Sequence, residues 1–209
     1  MRILRVQGKG NVSKEPDMVT LSFEVESLSM DYEESLNNLN AQVEDLRKNM
    51  EASGLDRVQL KTAHFNLDLK SSYEKNRYVF KGYGASHRMI IEIPMDKTLL
   101  NKVIRNVAQG HSGATIDISF SVRDKEALRK SVLIQAVQTA RMNAEILASS
   151  AGVKLGKLME MDYGHTEVHF YDHQEVSMCM SESLSCDVDI EPQDVRAADN
   201  VTLVYEIVD

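Results

Sequence analysis

Hydrophobic positions along the chain recur at two periods, about two residues and about 3.6, and the switches between them mark the predicted elements. From Val19 the alternation is clean, with Val19, Leu21, Phe23 and Val25 on one side and Thr20, Ser22, Glu24 and Glu26 on the other. That is a strand with one buried face. After Glu26 the apolar parity moves to Leu28 and Met30, which predicts a bulge or bend. Asp31 and Glu34 have capping-box spacing, and Tyr32, Leu36, Leu39, Val43, Leu46 and Met50 then repeat at four and three until Gly54. This is a helix. Its seam lasts only about three heptads, so a sheet is expected to cover it rather than a coiled-coil partner. Arg57 to Tyr73 and Arg77 to Ile93 read as two long strands joined by a polar hairpin at Glu74, Lys75 and Asn76. The first changes parity from Val58 and Leu60 to Ala63, Phe65, Leu67 and Leu69, so this sheet is expected to bend. Pro94 and Asp96 open a short helix with Leu99, Leu100, Val103, Ile104 and Val107 inward, Gly110 closes it, and Thr115 to Val122 alternates as a strand.

The stretch from Asp124 to Gly152 predicts one long helix, with Asp124 as N-cap and Gly152 as its stop. Leu133, Ala136, Ala140, Ala144, Leu147 and Ala151 recur at steps of three and four and form its predicted buried stripe. Side chains this small let a helix axis lie close to what it covers, and the strand-rich flanks make that a β-sheet. Ile3 to Val12 is a first strand interrupted by Gly8 and Gly10; Lys157 to Tyr171 is another; a polar stretch runs from Asp172 to Asp189; and Val201 to Val208 is the last strand. The order between Asp17 and Arg123 is strand, helix, strand, strand, helix, strand, that of a ferredoxin-like unit. The expected class is α+β, with bent antiparallel sheets. Residues 17–123 would form the βαββαβ unit, and 1–16 with 124–209 a second α+β layer holding the alanine-rich helix.

Composition narrows the function classes. The net charge of -8 and the scattered Lys and Arg argue against a nucleic-acid surface, which needs a basic footprint. No window is apolar enough to span a membrane, and the N-terminus has no signal-peptide run, which predicts a cytoplasmic protein. Cys179 and Cys186 are spaced as neither a zinc nor a redox motif and are expected as free thiols.

Candidate chemistry is sparse. His165, His169 and His173 would lie about 6 Å apart on a helix, close enough to begin a metal site. Val168, Phe170 and Tyr171 favour a strand instead, on which a four-residue step spans about 13 Å. Met178, Cys179 and Met180 offer soft sulfur ligands of the kind copper(I) takes. The run from Gly110 to Ala114 resembles a nucleophile elbow around Ser112, but its second glycine directly follows the serine and it joins helix to strand, the reverse of an elbow. Gly8-x-Gly10 is followed by a strand where a dinucleotide loop needs a helix. No catalytic residue and no cofactor are expected. The mixed segment 172–189 sets Val176, Met178, Met180 and Leu184 among acidic residues, the composition of a projecting loop that contacts another chain.

Several stretches together resemble the SIMPL-domain family, a domain of unknown function named for a signalling molecule that associates with a pelle-like kinase. They are Gly8 and Gly10; Pro16 and Asp17; Gly82, Tyr83 and Ala85; Ala136, Ala140, Ala144, Ala148, Gly152 and Gly156; and Pro192, Val201 and Tyr205. The resemblance covers nearly the whole chain as one domain. It implies an α+β fold without an established enzymatic activity, a tendency to self-associate, and, for many bacterial relatives including periplasmic immunogenic proteins, export and a link to envelope or stress physiology. Gln193 stands where a glycine often follows the proline. The expectation is a non-enzymatic, homo-oligomeric structural or interaction protein; the alternative is a small-ligand or metal-binding protein using the segment from His165 to Cys186.

Overall fold

The computed structural model describes residues 2–74, 76–164, 169–171, 176–178 and 189–208, with 169–171 and 176–178 described by their backbone. Contacts divide the chain into two units: Met1–Pro16 with Val122–Asp172 and Gln193–Asp209, and Asp17–Ser121 with His173–Pro192. The class is α+β, with antiparallel sheets carrying helices.

In the first unit, β1 (Ile3–Lys14) pairs along its whole length with β9 (Val195–Val208), which also pairs with β6 (Lys154–Asp162) and β7 (His169–Tyr171). Helix α3 (Lys125–Ser150) packs on this sheet, its N-cap Asp124 accepting from the Ala127 amide at 2.7 Å. Gly152, at φ +70°, follows in the left-handed conformation that favours glycine. The buried row is Leu128, Val132, Ala136, Ala140, Ala144 and Ala148, every fourth residue. Leu147 and Ala151, expected in the stripe, are exposed. A constant step of four drifts around the helix by about 40° per step, so the row runs oblique to the axis as it crosses the strands.

The glycines of β1 are matched to that row. A Cβ at Gly8 would fall well under 3.0 Å from the Ala136 carbonyl and the Ala140 amide, and one at Gly10 would collide with the Val132 carbonyl. Helix backbone therefore rests directly on strand backbone, and alanine on one side requires glycine on the other. Strand β9 begins six residues before the predicted Val201 and carries Asp199 and Asn200 inside the ladder, opposite Gly10 and Lys9. Asp199 is in fact buried: it accepts from Tyr163 Oη at 2.9 Å and from the Asn200 amide at 2.7 Å. Arg129 of α3 bonds the same Tyr163, which, with smaller contributions from Glu126 and then Asp199, raises the guanidinium pKa still further.

The second unit has the sheet order β3-β4-β2-β5-β8, from β2 (Met18–Ser29), β3 (Lys61–Glu74), β4 (Arg77–Pro94), β5 (Thr115–Ser121) and β8 (Val176–Met178). Helices α1 (Tyr32–Ser53) and α2 (Lys97–Gln109) cover the face bearing Val19, Leu21, Phe23, Val25, Met89, Ile91, Ile93, Ile116 and Ile118. The cap of α1 differs from a simple box. Asp31 accepts from the Glu34 amide at 2.9 Å, while the Glu34 carboxylate accepts from Ser29 Oγ, whose oxygen in turn accepts from the Asp31 amide. Strand β2 carries no bulge, contrary to its apolar parity: its register with β4 is continuous from Met18 to Ser29. Ser27, facing the helices, bonds the Ser35 carbonyl at 2.7 Å, and Leu28 and Met30 are exposed. The parity change predicted near Ala63 is real, a register shift between Thr62 and His64. Residues 57–59 form a 3-10 turn before β3, capped by Asp56.

Candidate interaction surface

Beyond the N-terminus of α1 the hairpin of β3 and β4 continues as an arm with no helix over it among the described residues. Paired residues on adjacent antiparallel strands point to the same face. The pairs Phe65–His87, Leu67–Ala85 and Leu69–Tyr83 therefore extend the face that carries Met89, Ile91 and Ile93. Past Tyr83 a second register shift leaves Lys81 without a partner across the ladder, at Gly82 with φ +132°. This bulge reverses the alternation of β4, so that Phe80, opposite Ser71, and Tyr78, opposite Tyr73, return to the face of Tyr83. A Cβ on Gly82 would strike the Ser29 carbonyl, so the position demands glycine twice over.

One face of the arm is consequently a row of rings. Tyr73 and Tyr78 meet edge to face at 5.1 Å between centroids, Phe80 and Tyr83 at 5.4 Å, and Tyr83 also meets Tyr32 of α1 at 5.6 Å. Tyr78 is 79% exposed, Leu69 66% and Tyr73 61%. The opposite face is polar. There Lys70 bridges Asp68 at 3.2 Å, and Glu74 accepts from Lys81 at 2.5 Å and from Ser72 at 2.7 Å, bonds that hold its carboxyl below the usual pKa. Asn76, at φ +66°, closes the turn and accepts from Tyr73 Oη at 2.7 Å. At the root, His87 lies 2.8 Å from Thr62 Oγ1 and packs edge-on against Phe65. Burial, and then the Arg47 guanidinium, lower its pKa below 6.5.

Among the described residues, six Phe and Tyr side chains lie on this surface: Tyr32, Phe65, Tyr73, Tyr78, Phe80 and Tyr83. Sequence reasoning missed it as a site. The signal was present in the spacing of aromatic residues on either side of the hairpin, but Tyr78 and Phe80 have the wrong parity to join Tyr83 until Lys81 is seen to bulge.

Of the residues singled out from the sequence, His165, His173, Cys179, Met180, Leu184 and Cys186 lie outside the described residues. His169 stands in β7, paired with Ala198 in the first unit. Val176 and Met178 stand in β8, paired with Ile118 and Ile116 in the second. Among the described residues no group of three or more His, Cys, Asp or Glu could hold a metal ion. Ser112 is fully buried, its Oγ within 3.4 Å of the Ala114 amide, and presents no nucleophile to solvent. No helix among the described residues is long and apolar enough to cross a membrane.

The chain is thus a two-unit α+β protein whose most distinctive surface is an aromatic arm that no helix covers among the described residues. It belongs to the SIMPL family, described as a protein of unknown function (DUF541), which it matches over residues 4–205. It is also similar to the uncharacterized protein YggE of Edwardsiella ictaluri (strain 93-146), 24% identical over 158 residues that make up 75% of this chain. The match spans 65% of that relative's length.

Proposed function

We propose that this protein is a non-enzymatic, self-associating interaction protein and that the β3–β4 arm is its contact surface. The observation that carries this reading is the exposed row formed by Phe65, Leu69, Tyr73, Tyr78 and Phe80. Elsewhere on the same sheet face such residues lie under α1 and α2; here they stand in water with rings already ordered against one another. A contiguous apolar patch of this kind marks an interaction site, and tyrosine-rich patches favour protein partners because a large rigid ring loses little entropy on contact. The outer edge of β3, without a strand partner among the described residues, adds backbone donors and acceptors beside the patch.

Light scattering of the wild type and of Tyr78→Ser with Phe80→Ser tests this. The wild type should exceed the 23.6 kDa of one chain, and the double variant should shift toward that mass with unchanged circular dichroism. A wild type monomeric at all concentrations, or an equally assembled variant, contradicts the reading.

A further inference from the structure

Resting on the proposal of self-association, we infer that the partner of β3 is β3 of a second copy, paired antiparallel about a two-fold axis at Leu69. Strand β3 ends the sheet, and its outer edge has no strand partner among the described residues. Its register shift against β4 lies between Thr62 and His64; the later one places the extra residue, Lys81, on β4. From His64 to Glu74 the strand is therefore a regular open edge, and the middle of that stretch is Leu69.

Antiparallel pairing about Leu69 sets each residue opposite the one equally far on the other side. Leu69 then meets its own counterpart, and Phe65 meets Tyr73 of the other copy. On the polar face Asp68 meets Lys70, His64 meets Glu74, and Asn66 meets Ser72. Every charged group on the stretch faces a group of opposite or complementary character, twice over by symmetry. Moving the axis to Asp68 or to Lys70 instead opposes two like charges directly at its centre. The aromatic faces of both arms end up on the same side of the joined sheet, since Phe65, Leu67, Leu69 and Tyr73 share one face. An extended peptide from another protein could use such an edge, but it would not require the strand to complement itself.

The test uses the full-length chain as two single variants, Asp68→Lys and Lys70→Glu, measured alone and mixed. Each variant alone sets like charges opposite one another at two symmetric places. In the mixture the introduced lysine of one copy faces the introduced glutamate of the other, and the unchanged Lys70 of the first faces the unchanged Asp68 of the second. The expected result is loss of the β3-mediated association in each variant at the concentration where the wild type assembles, and its recovery in the equimolar mixture. Recovery also shows that both variants fold. Variants that assemble like the wild type overturn the pairing while leaving self-association standing; so does a mixture that stays dissociated. A monomeric wild type overturns the pairing and the self-association proposal together.

Discussion

At the scale of single residues, the first unit is decided by which atoms are missing. Gly8 and Gly10 have no Cβ, and Ala136 and Ala140 have nothing beyond one, so α3 and β1 approach backbone to backbone. Ala140→Leu should therefore overpack the contact and cost about 1–3 kcal/mol, read as a lower urea midpoint. An unchanged midpoint would show that the helix can lift from the strand without penalty. Asp199 is the polar counterpart. Tyr163→Phe removes a donor from a buried carboxylate and should destabilise by about 1–3 kcal/mol, whereas the exposed Tyr78→Phe should be close to neutral in the same melts. His87 makes the protein acid-sensitive. Its folded pKa lies below 6.5, so its contribution is complete above 6.5, begins to fall as the pH drops through that value, and is gone below the lowered folded value. His87→Gln should show a shallower loss of stability over that window in melts at a series of pH values; parallel curves for the two proteins would remove His87 as a cause.

At the scale of elements, hydropathy periods were enough to find α1, α2, α3 and the strands that alternate over a covered sheet. Val19 to Val25 and Ile116 to Val122 are legible because one side of each is core and the other is not. Three features resisted for distinct reasons. The N-terminal half of β9 was hidden by Asp199 and Asn200, whose turn preference is overridden by the Tyr163 bond and full pairing with β1. The buried row of α3 was misplaced near its end because the helix follows a four-residue ridge rather than an averaged period, leaving Leu147 in solvent. The arm escaped because local sequence does not say where a helix stops covering a sheet. Leu69 and Tyr73 have the same parity as Leu67, and only the position of α1 separates those that are covered from those that are not.

At the scale of the whole molecule, the division of the apolar clusters matters most. The largest cluster lies wholly in the second unit, and those around Ala140 and around Val132 lie wholly in the first. A partner that binds only the folded arm stabilises the unit bearing it by mass action, in proportion to the logarithm of the partner's concentration. When the partner is another copy, that concentration is the protein's own. Amide exchange should therefore depend on dilution in one unit and not in the other. Between His64 and Glu74 of β3 the outward-facing amides should exchange faster after a roughly hundredfold dilution across the association midpoint, and the second unit's core amides in β4 and β2 should follow by a smaller margin. Amides of β1 and β9, held by one another and by α3, should keep their rates. In Tyr78→Ser with Phe80→Ser the concentration dependence should vanish and the rates should match those of the dilute wild type. Rates in β3 that ignore concentration, in a protein that light scattering shows to assemble, would place the contact somewhere other than the arm.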